Sequence, residues 1–89
     1  MASGTIKMQT SSVKYASITG TPNQYGSLLY NNEFNAIKDR IVGVVGVSTG
    51  GVLVNMMQDN GTHFFGCFKA YPTPAAPYTS QITITVAYI

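Results

Sequence analysis

Only 9% of this 89-residue chain is charged, against the usual quarter of a soluble domain, and that shortage limits what it can fold into. Ten Thr, seven Ser, six Asn and four Gln stand where Lys, Glu, Arg and Asp normally would. Hydroxyls and amides cost far less to bury than ions. Such an exterior suits a chain that packs against copies of itself or sits inside a larger assembly.

Length sharpens the point. A chain of 89 residues makes one domain, which buries only about 60–65% of the surface its unfolded form exposes. Cys67 is alone, so no disulfide can form within the chain, and one His with one Cys makes a structural zinc cluster a poor expectation. Oligomerisation is the remaining common way to stabilise so small a core. The five Lys/Arg outnumber the three Asp/Glu, but Lys7, Lys14, Lys38, Arg40 and Lys69 are scattered. Nucleic-acid binding needs clustered cations, so the pattern argues against it. No apolar run approaches the roughly 20 residues of a membrane-spanning helix. Met-Ala-Ser-Gly-Thr-Ile-Lys lacks the basic and apolar regions of a signal peptide, and it reads equally as a native start or as the start of a piece of a longer chain.

The carboxyl half is the most patterned. Arg40–Ser48 is rich in β-branched residues and ends at the turn signal Thr49-Gly50-Gly51. Val52–Gln58 follows, then Asp59-Asn60-Gly61-Thr62, and Asn-Gly between apolar runs is the strongest short hairpin signal. His63–Tyr71 is the returning strand, so these segments predict a three-stranded antiparallel meander. Ile41–Val47 is apolar on both faces and is expected to be a central strand. Pro72–Ser80 holds three prolines and reads as a loop. Gln81–Ile89 alternates, with Ile82, Ile84, Val86 and Tyr88 on one face and Thr83, Thr85 and Ala87 on the other, as a half-buried strand does. In the amino half, Thr5–Gln9, Val13–Ile18 and Tyr25–Tyr30 fit short strands. Over 32–39, Asn32 offers an N-cap, with Phe34, Ile37 and Ile41 at helical spacing, giving one or two helical turns, with an extended or irregular segment as the alternative. Gly43, Gly46 and Gly66 interrupt strand patterns and suggest bulges or close approach of another backbone. The expected fold is all-β, a small antiparallel, jelly-roll-like sandwich.

Chemistry is sparse. His63 and Cys67 share a strand face, but a Cys–His nucleophile pair needs a third group to orient the imidazole and an oxyanion site. Cys67, between Gly66 and Phe68, reads better as a small buried hydrophobe. Phe64 and Phe68 alternate to one face and Phe65 to the other, so at least one of those faces is core. Asp59 opens a turn, and Glu33 and Asp39 lie six apart, off a facing helical spacing. The glycines lack the Lys-Ser/Thr of a phosphate loop. No cofactor signature is present. Tyr25, Tyr30, Tyr71 and Tyr78 are the more suggestive residues, set among Asn, Gln, Thr, Pro and Gly. Together with Asn31 they are candidates to stack on and hydrogen-bond a sugar. The reading their pattern favours over a ligand contact is that they cap the core or fill a subunit interface.

Over roughly residues 25–89, the order Arg40-Ile-Val, a Gly-rich turn, Asp59-Asn-Gly-Thr-His-Phe, a Pro/Ala loop and a terminal Ile-Thr-Ile-Thr-Val-Ala-Tyr-Ile resembles the C-terminal, receptor-binding β-domains of tailed-bacteriophage tail fibres. That resemblance implies a non-enzymatic homotrimeric knob of the virion tail that acts outside the cell and binds a bacterial surface polysaccharide or protein. It transfers no binding residue, and the chain has neither coiled-coil heptads nor triple-helix repeats for a shaft. The alternatives are a trimerisation or capsid/tail decoration module with no ligand of its own, and, less well supported, a glycan-degrading enzyme.

Overall fold

The alternation of Gln81–Ile89 organises the molecule. The computed structural model describes residues 3–5, 12–71 and 75–89. It contains the strands β1 (Lys14–Gly20), β2 (Ser27–Leu29), β3 (Ile41–Val47), β4 (Val52–Asp59), β5 (Thr62–Lys69) and β6 (Ile82–Tyr88), with one helix, α1 (Asn32–Ile37). Two three-stranded antiparallel sheets, ordered β1-β6-β3 and β2-β5-β4, pack face to face. β6 is central in the first, and Ile82, Ile84 and Val86 project from it into the core with essentially no exposure. Ile18 joins them from β1, while Leu28, Phe65 and Cys67 meet them from the second sheet. On the outer face of the first sheet, hydroxyl pairs Ser17–Thr85 and Thr19–Thr83, each at 2.7 Å, tie β1 to β6. Among the described residues, no helix is long and apolar enough to cross a membrane. The strand expected over Thr5–Gln9 lies, apart from Thr5, outside the described residues.

β3 departs from expectation twice. It is an edge strand, paired only with β6 among the described residues, where apolarity on both faces predicted a central one. It also does not continue into a meander with β4, because the Ser48–Gly51 corner carries the chain from one sheet to the other. Bulges explain the first difference. The register advances two residues on β3 for one on β6 between Ile41 and Gly43, and again between Val44 and Gly46. Each bulge adds a residue on one strand, so the inward period becomes three: Ile41, Val44 and Val47 pack on the core, while Val42 and Val45 are exposed. Gly43 and Gly46 are therefore bulge glycines, one of the roles their interruption of the pattern suggested.

The β4–β5 hairpin forms as its sequence requires. Asn60 (φ 50°) and Gly61 (φ 80°) supply the two left-handed residues of a type I′ turn. His63, Phe65 and Cys67 face inward, leaving Phe64 and Phe68 on the other side. The far edge of β5 changes partner at Cys67: its N–H donates to Gly26 O at 2.7 Å, and its carbonyl accepts from Tyr78 N at 3.0 Å. Beyond it, Lys69 N donates to Ala76 O. Among the described residues, the Pro-bearing loop thus flanks β5 through residues 76–78 at the sheet edge, where Pro77 has no donor to lose. Gly26 has φ +80°, and a Cβ there would run into the Cys67 carbonyl oxygen.

Helix α1 begins one residue earlier than the sequence suggested. Asn31, not Asn32, is the N-cap, its Oδ1 accepting from Phe34 N at 2.8 Å. Phe34 is the side chain the helix buries, and it meets the Tyr30 and Phe65 rings edge-on, at 5.7 and 5.9 Å.

Two stability outcomes follow. Ile84→Ala opens a cavity at the seam between the sheets and is expected to cost about 2–5 kcal/mol in denaturant unfolding. Gly26→Ala is expected to destabilise by about 2 kcal/mol or more, whereas Gly50→Ala, with nothing within 4 Å of the added Cβ, stays within about 0.5 kcal/mol of the parent.

Candidate functional site

The most distinctive surface is the outer face of β2-β5-β4, opposite the core. The strand register places Leu29, Phe64 and Met57 in one cross-strand row, Ser27, Gly66 and Asn55 in the next, and Phe68 and Leu53 in a third. Gly66 leaves room for its neighbours: a Cβ there would sit 2.6 Å from Met57 Sδ and 3.2 Å from a Phe68 ring carbon. Leu29, Leu53 and Met57 remain 60%, 58% and 43% exposed. Large apolar side chains grouped like this mark an interaction surface on a soluble domain more often than an accident of composition. At its hairpin end lies an open depression of about 390 Å³, with Leu29 and Phe64 as apolar floor and Asn23, Asp59, Asn60 and Thr62 around it. The Asn23 Oδ1 is already committed, accepting from Tyr25 N at 2.9 Å and Ser27 N at 3.0 Å.

The residues singled out in the sequence divide between the two ends of β5. Tyr30 and Asn31 lie at the His63 end, where Tyr30 N donates to His63 O. Tyr30 is buried, with its ring against Phe65 at 4.7 Å and stacked with His63 at 5.7 Å. Asn31 caps α1. Both therefore have a structural task. Tyr25, Tyr71 and Tyr78 belong to loops gathered around the other end of β5. Tyr25 and Tyr71 are exposed by 68% and 81%, while Tyr78 packs on the core and its hydroxyl reaches Thr49 Oγ1 and Gln81 O at 3.5 and 3.4 Å. Tyr25 and Tyr71 are the aromatic side chains of this set left exposed.

Single-chain reading missed the outer face, because which residues share it depends on pairing register. The one visible clue was that Phe64 and Phe68 alternate away from Phe65. A second depression, about 210 Å³, lies where α1 and β3 approach β4, between Tyr30, Lys38, Ile41, Met56, Gln58 and His63.

The nucleophilic and acidic groups do not converge. Cys67 is fully buried, and burial pushes its thiol, like the Tyr30 phenol, above the ordinary range. Glu33, Asp39 and Asp59 are exposed, on α1, on the turn after it and on the hairpin. Among the described residues, no three His, Cys, Asp or Glu side chains come together in a metal-binding group. Arg40 lies over the Tyr88 ring at 5.3 Å and donates from Nε to the Ile89 carbonyl oxygen, closing the end of the first sheet.

No protein-family model matches this chain, nor does any curated protein or solved structure.

Asn31→Ala is expected to cost about 1 kcal/mol through loss of the cap, read by thermal unfolding. The Cys67 thiol should resist alkylation in the native state and react at the rate of unfolding. Because its folded-state ionisation is raised, the unfolded chain loses that proton first, so this group lowers stability as pH rises above about 8.5. Cys67→Ala should remove that part of the pH dependence.

Proposed function

We propose that the chain is a non-enzymatic virion domain of the tail-fibre kind, working as an assembly of its own copies and recognising a bacterial surface glycan. The observation that carries this reading is the outer face of β2-β5-β4, where Leu29, Leu53 and Met57 stand exposed beside Phe64 and Phe68. Covering one such side chain completely is worth about 1.5–3 kcal/mol. A chain with so few charges loses little by desolvating the rest of its exterior. The sequence resemblance to fibre-tip domains over roughly residues 25–89 adds to this reading. Glycan recognition rests on Tyr25 and Tyr71, which present aromatic faces among Asn, Gln and Thr at one end of the sandwich.

One observation favours the alternative, a structural module without a ligand. Tyr30 and Asn31 have internal tasks, and Tyr78 packs on the core, which leaves a smaller aromatic surface for a sugar. Binding data separate the two readings. The double variant Tyr25→Ala/Tyr71→Ala is expected to keep the parent's thermal stability and solution mass while losing on the order of tenfold or more in affinity for host cells or purified surface polysaccharide. Unchanged binding would favour the structural module.

A further inference from the structure

We propose that the open edge of β4 is a self-recognition strand, pairing antiparallel with β4 of a second copy about a two-fold axis at Asn55. This takes from the reading above only that the chain assembles with its own copies, and it sets a two-fold joint in place of the three-fold one the fibre resemblance implies. β4 bonds only to β5 among the described residues. Ala70 N donates to Gly51 O, so with alternating antiparallel pairs the odd-numbered residues of β4 bond to β5. The N–H and C=O groups of Val52, Val54, Met56 and Gln58 therefore point away from the sheet.

Natural sheets guard such edges with proline, lysine, bulges or brevity. β3 has its two bulges, β2 has three residues, and β1, seven residues in unbroken register with β6, carries a lysine at its first position. β4 runs eight residues in unbroken register with β5, and from Val52 to Gln58 it has neither charge nor proline.

Its sequence is complementary to itself. Turning a second copy about Asn55 sets Leu53 opposite the second copy's Met57 and Val54 opposite its Met56. Asn55 faces Asn55, where paired amides can bond each other, and no ion is buried. The paired residues point to the same side, as an antiparallel ladder requires. The joint fuses two three-stranded sheets into one of six and makes the two apolar outer faces continuous. The two Asp59 carboxylates end at opposite ends of the joint, so they do not repel across it.

Eight residues at about 3.4 Å each give a pairing edge of roughly 27 Å.

Light scattering on the whole chain tests the joint. The parent is expected to weigh two copies. Asn55→Lys and Asn55→Asp each place like charges across the axis and should run as folded monomers, while an equimolar mixture of the two should recover the pair. Met56→Pro removes an outward N–H without breaking a bond to β5 and should also be monomeric; if it fails to fold, the Asn55 pair of variants decides alone. Paired Asn55→Lys, or variants that stay apart on mixing, would overturn the joint. A three-copy parent, as the fibre resemblance implies, would overturn it and leave self-assembly standing; a monomeric parent would overturn both.

Discussion

The seam between the two sheets is the contact on which everything else depends. Ile82, Ile84 and Val86 of β6 lie against Phe65 and Cys67 of β5, all with essentially no exposure. Each of these strands is the middle of its sheet, so each is held on both edges by backbone pairing while its inward face is held by the other. The core they make is small, and no disulfide within the chain can supplement it. This is the physical reason the outer surfaces matter: a domain with a marginal core has most to gain from burying more apolar area against a neighbour.

The surfaces divide by chemistry. The first sheet presents exposed Tyr15 and the paired hydroxyls of Ser17–Thr85 and Thr19–Thr83 outward over β1 and β6, with exposed valines on the bulged strand β3. The second presents leucine, methionine and phenylalanine, beside an edge strand without charge over seven of its eight residues. Association through that sheet would use both features at once, since edge pairing brings two apolar faces into one surface. The loops holding Tyr25 and Tyr71 lie at one end of β5, with both rings exposed.

Much of the fold was legible where local pattern and tertiary role coincide. Strict alternation marked β6 and its buried face, Asn60-Gly61 marked the hairpin, and the burial of Cys67 followed from its neighbours. What stayed hidden depends on partners distant in sequence. Ile41–Val47 looked central because its apolar residues fall on both faces of an ordinary strand, and only pairing with β6 reveals the two bulges. The corner at Ser48–Gly51 resembled a hairpin turn, yet it moves the chain between sheets. Tyr30 looked like its fellow tyrosines until the fold set it against Phe34, His63 and Phe65. The outer apolar face had only one local sign, Phe64 and Phe68 alternating away from Phe65, because Leu29, Leu53, Met57 and Phe64 come from three strands.

Amide hydrogen exchange along β4, followed against protein concentration, tests the central claim most directly. If a second copy occupies the edge, the Val54 and Met56 amides are as protected as those of Leu53 and Asn55, and they lose protection on dilution together with the other outward amides of β4 while Leu53 and Asn55 keep theirs. Rapid exchange at Val54 and Met56 at every concentration, with Leu53 and Asn55 still protected, would show the edge open to water and contradict the account.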